Sequence, residues 1–335
     1  MSDVWGAPVT ANLLTGFLGA GKTSLLKRLL RQPELSDTAV LINEFGEVGL
    51  DHLLVEEVDE DLVLLKSGCV CCTIRGDLKE ALARLHGRRQ RGEVPAFSRV
   101  VIETTGLADP APIVATLATD PMLRHHFRLG NVVTVVDGLS GERNLKDFPE
   151  AARQAAAADR VVLSKIDLAE ARAVDRLHRR LAALNPAAQI MEADEETEAE
   201  ALLLTQDMGA HGASLAEAER WMEAGEAHAH HPDRSRHGDI RSFVIEREAP
   251  VDWLAFGLWL SMLLNRHGER ILRLKGLVRV DGQAGPVAVQ GVQHLVHKPV
   301  HLERWPGDDR RTRLVVIGKD LDPELVRRSF EAFVG

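Results

Sequence analysis

Gly16-Phe17-Leu18-Gly19-Ala20-Gly21-Lys22-Thr23 is the stretch on which the fold of this chain turns. It satisfies G-x-x-x-x-G-K-[ST] and lies between an apolar run at 9–14 and a segment, 22–30, with Leu25, Leu26, Leu29 and Leu30 at helical spacing. A glycine-rich turn between a strand and a helix lets backbone amides point inward at phosphate oxygens. The helix adds its positive N-terminal end to the same anion. Gly19, Ala20, Gly21 and Ser24 are therefore candidate phosphate contacts. Lys22 would reach the β- and γ-phosphates, and Thr23 would ligate magnesium.

Outward from this loop the chain alternates. Short apolar, largely β-branched runs occur at 40–42, 62–65, 100–102, 132–136 and 161–163. Helical patterns fall at 79–89, 113–117, 151–158 and 169–183. Continuous apolar strands suit a sheet covered on both faces. Their alternation with helices predicts an α/β domain with a doubly wound, mostly parallel sheet. The pattern changes near residue 192, where an acidic stretch, 192–200, is expected to be solvated. His228, His230, His231 and His237 lie in a polar segment that has little to bury. It reads equally as a linker and as a second, weaker metal-capture site. Strand patterns at 242–245, 271–280, 287–292 and 314–317, with helices at 251–264 and 323–333, predict a smaller α+β domain. The expected organisation is a nucleotide domain at 1–225, a His-containing linker at 226–239 and the α+β domain at 240–335.

Two further acids fit the phosphate loop. Glu103 ends a buried apolar run, where an acid is costly unless paired or near a metal. Gly106 follows three residues later. That spacing suits a water-bridged magnesium ligand and a glycine that senses the γ-phosphate. Ser164-Lys165-Ile166-Asp167 follows the apolar run at 161–163. Asp167 there would accept both guanine N1–H and the exocyclic amine, which adenine cannot match. Lys165 would pack along the base plane. GTP with magnesium is the expected nucleotide, with Lys22, Glu103 and Gly106 as the catalytic candidates. No glutamine follows Thr104-Thr105-Gly106 to orient water, so slow intrinsic hydrolysis is expected.

All three cysteines fall within Cys69-Val70-Cys71-Cys72. Thiolates suit Zn(II), Co(II), Cu(I) and iron. Three sulfurs are one short of a closed tetrahedral zinc site, so another group must join, and Glu44, Glu47 and Asp77 are candidates. The blander reading is three small buried hydrophobes. A redox thiol pair is a less favoured competitor. His125-His126 shows no ligand pattern and reads as surface.

The chain's formal charge of −9 argues against nucleic acid as a partner. With no tyrosine and 4% aromatics, a base-stacking platform is not expected. No apolar run approaches the roughly 20 residues of a membrane span. Without a secretory pattern at the N-terminus, and with clustered cysteines, the expected location is the cytoplasm.

The sequence resembles the CobW-like GTPases. The resemblance rests on 15–23, Ile42-Asn43-Glu44-Phe45-Gly46-Glu47, Gly68 to Cys72, 103–110 and Ser164 to Asp167. It extends to Lys275-Gly276, Gln290-Gly291-Val292, Trp305 and Arg313-Leu314 near the C-terminus. The resemblance implies a GTP-hydrolysing metallochaperone delivering zinc, or else cobalt or iron, to a client metalloprotein. It makes Glu44 the best partner for Cys69, Cys71 and Cys72. It leaves the oligomeric state between a monomer and a nucleotide-dependent homodimer. Two other readings stand beside it: a metal buffer or sensor with incidental hydrolysis, and a P-loop small-molecule kinase. Ser164 departs from the asparagine that many GTPases carry there, which removes side-chain contacts to the base.

Overall fold

The computed structural model describes residues 8–42, 55–59, 62–65, 70–73, 77–193, 200–204, 218–223, 236–237 and 239–335. Contacts divide the chain into two compact units. One comprises Met1–Gly141, Arg160–Ala169 and Met191–Gln206. The other comprises Glu142–Asp159, Glu170–Ile190 and Asp207–Gly335.

The first unit is built on a nine-stranded sheet. Its strands are β1 (Val9–Gly16), β2 (Thr38–Ile42), β3 (Val55–Asp59), β4 (Leu62–Leu65), β5 (Val70–Thr73), β6 (Arg99–Glu103), β7 (Phe127–Asp137), β8 (Arg160–Ser164) and β9 (Gln189–Glu192). Their order is β3-β4-β5-β2-β6-β1-β7-β8-β9. Neighbours from β5 to β8 pair in parallel, and β3 and β4 extend the sheet antiparallel. Its helices are α1 (Lys22–Leu29), α2 (Leu78–Gln90), α3 (Pro110–Thr119) and α4 (Leu123–His126); α5 (Gly141–Asp147), α6 (Pro149–Ala157) and α7 (Ala171–Leu184) fall, but for Gly141, in the second unit. The expected doubly wound, mostly parallel architecture is present. Leu25, Leu26 and Leu29 of α1 bury against Leu14, Val101, Val133 and Val135 of the sheet, which anchors the glycine loop between β1 and α1.

The parallel register decides which residues meet. Leu14 pairs with Glu103, Gly16 with Val135, and Asp137 with Ser164. The C-terminal ends of β1, β6, β7 and β8 thus form one edge, the edge where open α/β sheets place their ligands.

Three features differ from the sequence expectation. Val70–Thr73, covered by none of the strand patterns in the sequence, is strand β5. Val40 pairs with Cys71 and Leu41 with Cys72, because a β-branched and apolar stretch is recruited by an open sheet edge. Residues 200–204, at the end of the acidic stretch, form a π-helical turn whose Leu202 and Leu203 are buried. Asn12, Asn131 and Arg160 donate side-chain hydrogen bonds to its carbonyls, so buried polar groups of the sheet fix this segment. His126 is not simply surface: its ring stacks on buried His86 at 4.2 Å between centroids. Burial and the neighbouring imidazole hold the pKa of His86 below its ordinary value.

The second unit carries an antiparallel sheet of β10 (Arg236–His237), β11 (Ile240–Arg247), β12 (Ile271–Val278), β13 (Val287–Val292), β14 (Leu295–Val296), β15 (Val300–His301) and β16 (Thr312–Lys319). Strand order is β10-β11-β16-β12-β13-β14, with β15 pairing to β13. Helices Trp253–His267 and Pro323–Val334 share a core with it through Phe256, Trp259, Leu263, Val326 and Phe330. Trp259 also donates from Nε1 to Ser329 Oγ at 3.0 Å and packs edge-on against Phe330. Asp252 and Asp322 cap the two helices by accepting from the amides of Ala255 and of Glu324.

A charged cluster is buried within this unit. Arg273 and Lys275 both pair with Oδ1 of Asp159, the Lys275 bond being 2.6 Å long. Lys275 also faces the Trp221 ring at 5.3 Å. All three charged side chains are at most 3% exposed. No helix among the described residues is long and apolar enough to cross a membrane.

Candidate nucleotide and metal site

Gly16, Gly19 and Gly21 adopt φ angles of 142°, 71° and 90°. These are conformations that β-carbons disfavour, which is why the loop needs glycine. A β-carbon on Gly16 would lie 2.3 Å from the Val135 carbonyl oxygen, so this glycine is required for space as well. Gly21 is the N-cap of α1 and makes no side-chain cap, which leaves the helix's first amides to other acceptors such as a phosphate. Lys22 is buried and donates from Nζ to the carbonyl oxygens of Gly16 at 2.9 Å and Phe17 at 3.5 Å. The ammonium is thereby held over the loop at the place where phosphate oxygens would replace those carbonyls. Ser24 is exposed on the first turn of α1.

The magnesium candidates meet. Thr23 Oγ1 donates to Glu103 Oε1 at 2.6 Å across 80 positions of sequence. Glu103 is 4% exposed, so this carboxylate has been taken out of bulk water beside a hydroxyl. Two hard oxygen donors at the head of a phosphate loop fit magnesium. Thr104 donates to Leu14 O from its amide and to Thr15 Oγ1 from its hydroxyl, at 3.0 and 2.9 Å, tying the end of β6 to β1. A β-carbon on Gly106 would lie 2.6 Å from Leu18 Cδ2 and 2.7 Å from both Leu18 N and Cα. Gly106 therefore rests directly on the phosphate loop.

The base-reading candidates sit on the same edge. Ser164 is buried and donates from Oγ to Ala20 O at 2.6 Å, so its hydroxyl braces the phosphate loop. Lys165 takes a left-handed φ of 54°. Its Nζ donates to Gly19 O at 2.7 Å and to Asp137 Oδ2 at 2.6 Å. Asp167 is exposed within the 3-10 turn Ile166–Leu168. Asp137 escaped the sequence reading, although an acid ending the apolar run at 132–136 parallels Glu103 and was the available signal. Its Oδ1 accepts from the amides of Leu139 and Ser140 at 2.7 and 3.1 Å. Burial pushes its pKa up, but Lys165 and these two amides outweigh burial and hold it below the ordinary carboxylate value.

Of the metal candidates, Glu44, Glu47 and Cys69 lie outside the described residues, as do His228, His230 and His231. Cys71 and Cys72 are placed by the backbone of β5, and His237 by that of β10. Asp77 is engaged elsewhere, since its Oδ1 accepts from Lys79 N at 2.8 Å and caps α2. In the sheet Ile42 is in register with Thr73 on one side and Glu103 on the other. With strands about 4.8 Å apart, the cysteine strand runs roughly 10 Å from the strand that presents Glu103.

The family comparisons agree with this geometry. The model for the CobW/HypB/UreG nucleotide-binding domain matches residues 10–192, and that for the cobalamin synthesis protein cobW C-terminal domain matches 240–334. The chain is 33% identical over 324 residues to the zinc chaperone YjiA of Escherichia coli (strain K12), covering 96% of this chain and 98% of that protein. It is 38% identical over 192 residues to zinc-regulated GTPase metalloprotein activator 1 of Schizosaccharomyces pombe, covering 55% of this chain and 46% of that one. The crystal structure of Zn(II)-bound YjiA GTPase from E. coli superposes with a TM-score of 0.74 at 30% identity, covering 98% of this chain and 100% of that chain. With a phosphate loop, an acid and glycine on β6, a base loop after β8 and both family domains in order, the chain belongs to the CobW family of P-loop GTPases.

Proposed function

We propose that this GTPase is a metallochaperone that binds Zn(II) at Cys69, Cys71 and Cys72 with Glu44, and transfers it to a client protein under control of the nucleotide. The observation that carries the proposal is the strand order β5-β2-β6-β1, which joins the cysteine strand to the strands bearing Glu103 and the phosphate loop. β2 runs between those two strands, and in the sequence Glu44 follows its last residue, Ile42, by two positions. The names of the zinc chaperone and metalloprotein activator relatives support a zinc cargo and a client.

In this reading the amides of Gly19 to Thr23 cradle the phosphates, and Lys22 turns from the carbonyls of Gly16 and Phe17 to the β- and γ-phosphates. Thr23 and Glu103 would hold magnesium, directly or through water, and the ion would neutralise the charge that develops on the phosphates. Asp167 reads guanine, and Lys165 lies between Asp137 and the loop carbonyl of Gly19 to flank the base. Gly106, seated on Leu18, follows the loop when the γ-phosphate binds or leaves. Movement at the end of β6 then reaches β2 and the cysteine strand through the parallel ladder. The C-terminal α+β domain faces the client.

The test is a Zn(II) titration of the full chain with a non-hydrolysable GTP analogue or with GDP. A difference of about tenfold or more between the two states is expected, matched by the same factor in nucleotide affinity measured with and without zinc. A Cys69, Cys71 and Cys72 to alanine variant should lose the high-affinity site. Equal zinc affinity in both nucleotide states overturns the proposal.

A further inference from the structure

Helix Trp253–His267 is apolar on more than the side it buries. Phe256, Trp259, Leu260, Leu263 and Leu264 enter the core of the second unit. On the opposite side Leu254, Leu258 and Met262 are 81%, 54% and 50% exposed. Their four-residue spacing puts them on one ridge. A surface helix packed on one side ordinarily turns charge and polarity to water on the other, so this ridge is a departure. Contiguous exposed apolar surface on a soluble domain marks an interaction site.

The same outward face continues into a polar pocket. Asn265, Arg266, His267, Glu269, Arg270 and His294 line a cavity of about 640 Å³ at the end of the helix. Two arginines oppose one glutamate there, in a chain whose overall charge is −9. The pocket has a fitted wall. Gln293 takes a left-handed φ of 52° in the turn between β13 and β14, and its amide donates to Ile271 O at 2.9 Å. His294, the next residue, lies so close to Gly268 that a β-carbon there would be 2.6 Å from Nδ1. Burial, then Arg266 and Arg270, hold the pKa of His267 below its ordinary value, as expected where cations gather.

We infer that the ridge Leu254–Leu258–Met262 and the basic pocket beyond it dock a segment of a partner protein that carries apolar side chains followed by carboxylates. The apolar part covers the ridge as an amphipathic helix covers a groove. The carboxylates meet the Arg266 and Arg270 guanidinium groups, the donors best suited to them. Charge complementarity selects an acidic partner over a basic one, because the pocket's positive groups stand out against an acidic chain. This inference rests on the client-delivery reading and names the chemistry of the client.

The test uses the full chain and synthetic, dye-labelled helical peptides with three leucines at four-residue spacing. One peptide ends in a run of glutamates and a second ends in lysines. A third has serines in place of the leucines. Anisotropy should show the glutamate peptide binding about tenfold or more tighter than either control, with weakening in high salt. Leu258→Ser with Met262→Ser should abolish binding, and Arg266→Glu with Arg270→Glu should reverse the preference for charge. GTP turnover and zinc affinity should stay at wild-type values in both variants, which also certifies that they fold. Equal binding of the glutamate and lysine peptides, or wild-type binding by either variant, overturns the inference. A concentration-dependent dimer abolished by Leu258→Ser would give the ridge to a second copy of this chain. Binding to phosphatidylserine vesicles abolished by the arginine variant would give it to a membrane; either result overturns the partner assignment. Peptide binding that persists when zinc affinity proves independent of nucleotide would sink the coupling and leave the docking surface standing.

Discussion

Replacing Gly106 with alanine isolates the contact between the β6 loop and the phosphate loop. The new methyl would sit 2.6 Å from Leu18 Cδ2 and 2.7 Å from Leu18 N and Cα. The leucine side chain is 57% exposed and can swing away, whereas its backbone is the phosphate loop itself. Ordinary contact begins at 3.4 Å, so loop and glycine must separate by about 0.7 Å, the difference between 3.4 and 2.7. Overpacking of this kind costs about 1–3 kcal/mol. A displacement approaching 1 Å at a reacting centre lowers turnover by about 100-fold when geometry limits the rate. The expected result for Gly106→Ala is a loss of about 10- to 100-fold in GTP turnover, followed by phosphate release, with a smaller loss in affinity for a fluorescent GDP. Gly257, in helix Trp253–His267, is the control, since a β-carbon there meets nothing within 4 Å. Gly257→Ala should keep full turnover and melt at the same or a slightly higher temperature. Turnover within twofold of wild type in Gly106→Ala, with an unchanged melting temperature, would refute the claim that Gly106 senses the loop by direct contact.

Asp159→Ala removes a carboxylate that both Arg273 and Lys275 pair with inside the second unit. Taking that carboxylate from two buried cations should cost about 3–5 kcal/mol in urea unfolding, and a loss below 1 kcal/mol would refute the assignment. Asp137→Asn should weaken GTP and GDP binding about tenfold through the loss of the Lys165 tether, read by fluorescent-nucleotide titration. His297 is held at about 4 by burial and then by Arg273, with Asp159 opposing. The unfolded chain takes up that proton near pH 6.5, so stability is present above about 6.5 and is lost as pH falls towards 4. His297→Gln should flatten the pH dependence of unfolding in that window.

Much of the nucleotide site is legible in local sequence because its chemistry is local. Glycines at 16, 19 and 21 are demanded by their own backbone angles, and Lys22 and Thr23 follow from the turn they close. Asp137 was passed over because its value depends on Lys165, 28 residues away, and on two amides that only the folded turn supplies. Nothing in the sequence around Ser164 says that its hydroxyl lies 2.6 Å from Ala20 O and braces the phosphate loop. The strand Val70–Thr73 drew no notice in the sequence because so short a run carries little periodicity; pairing with β2 makes it a strand.

The sequence by itself determined the phosphate loop and the alternation of strands and helices, since these rest on backbone propensity, glycine geometry and periodicity within short windows, and its ordered motifs carried the resemblance to the family. The tertiary structure alone decided which acids serve which partner: Glu103 for Thr23, Asp137 for Lys165 and Asp159 for two buried cations. These pairings depend on strand register and on removal from water. Both are properties of the assembled sheets, since a carboxylate has the same local sequence character whether it ends up beside a hydroxyl, an ammonium or solvent.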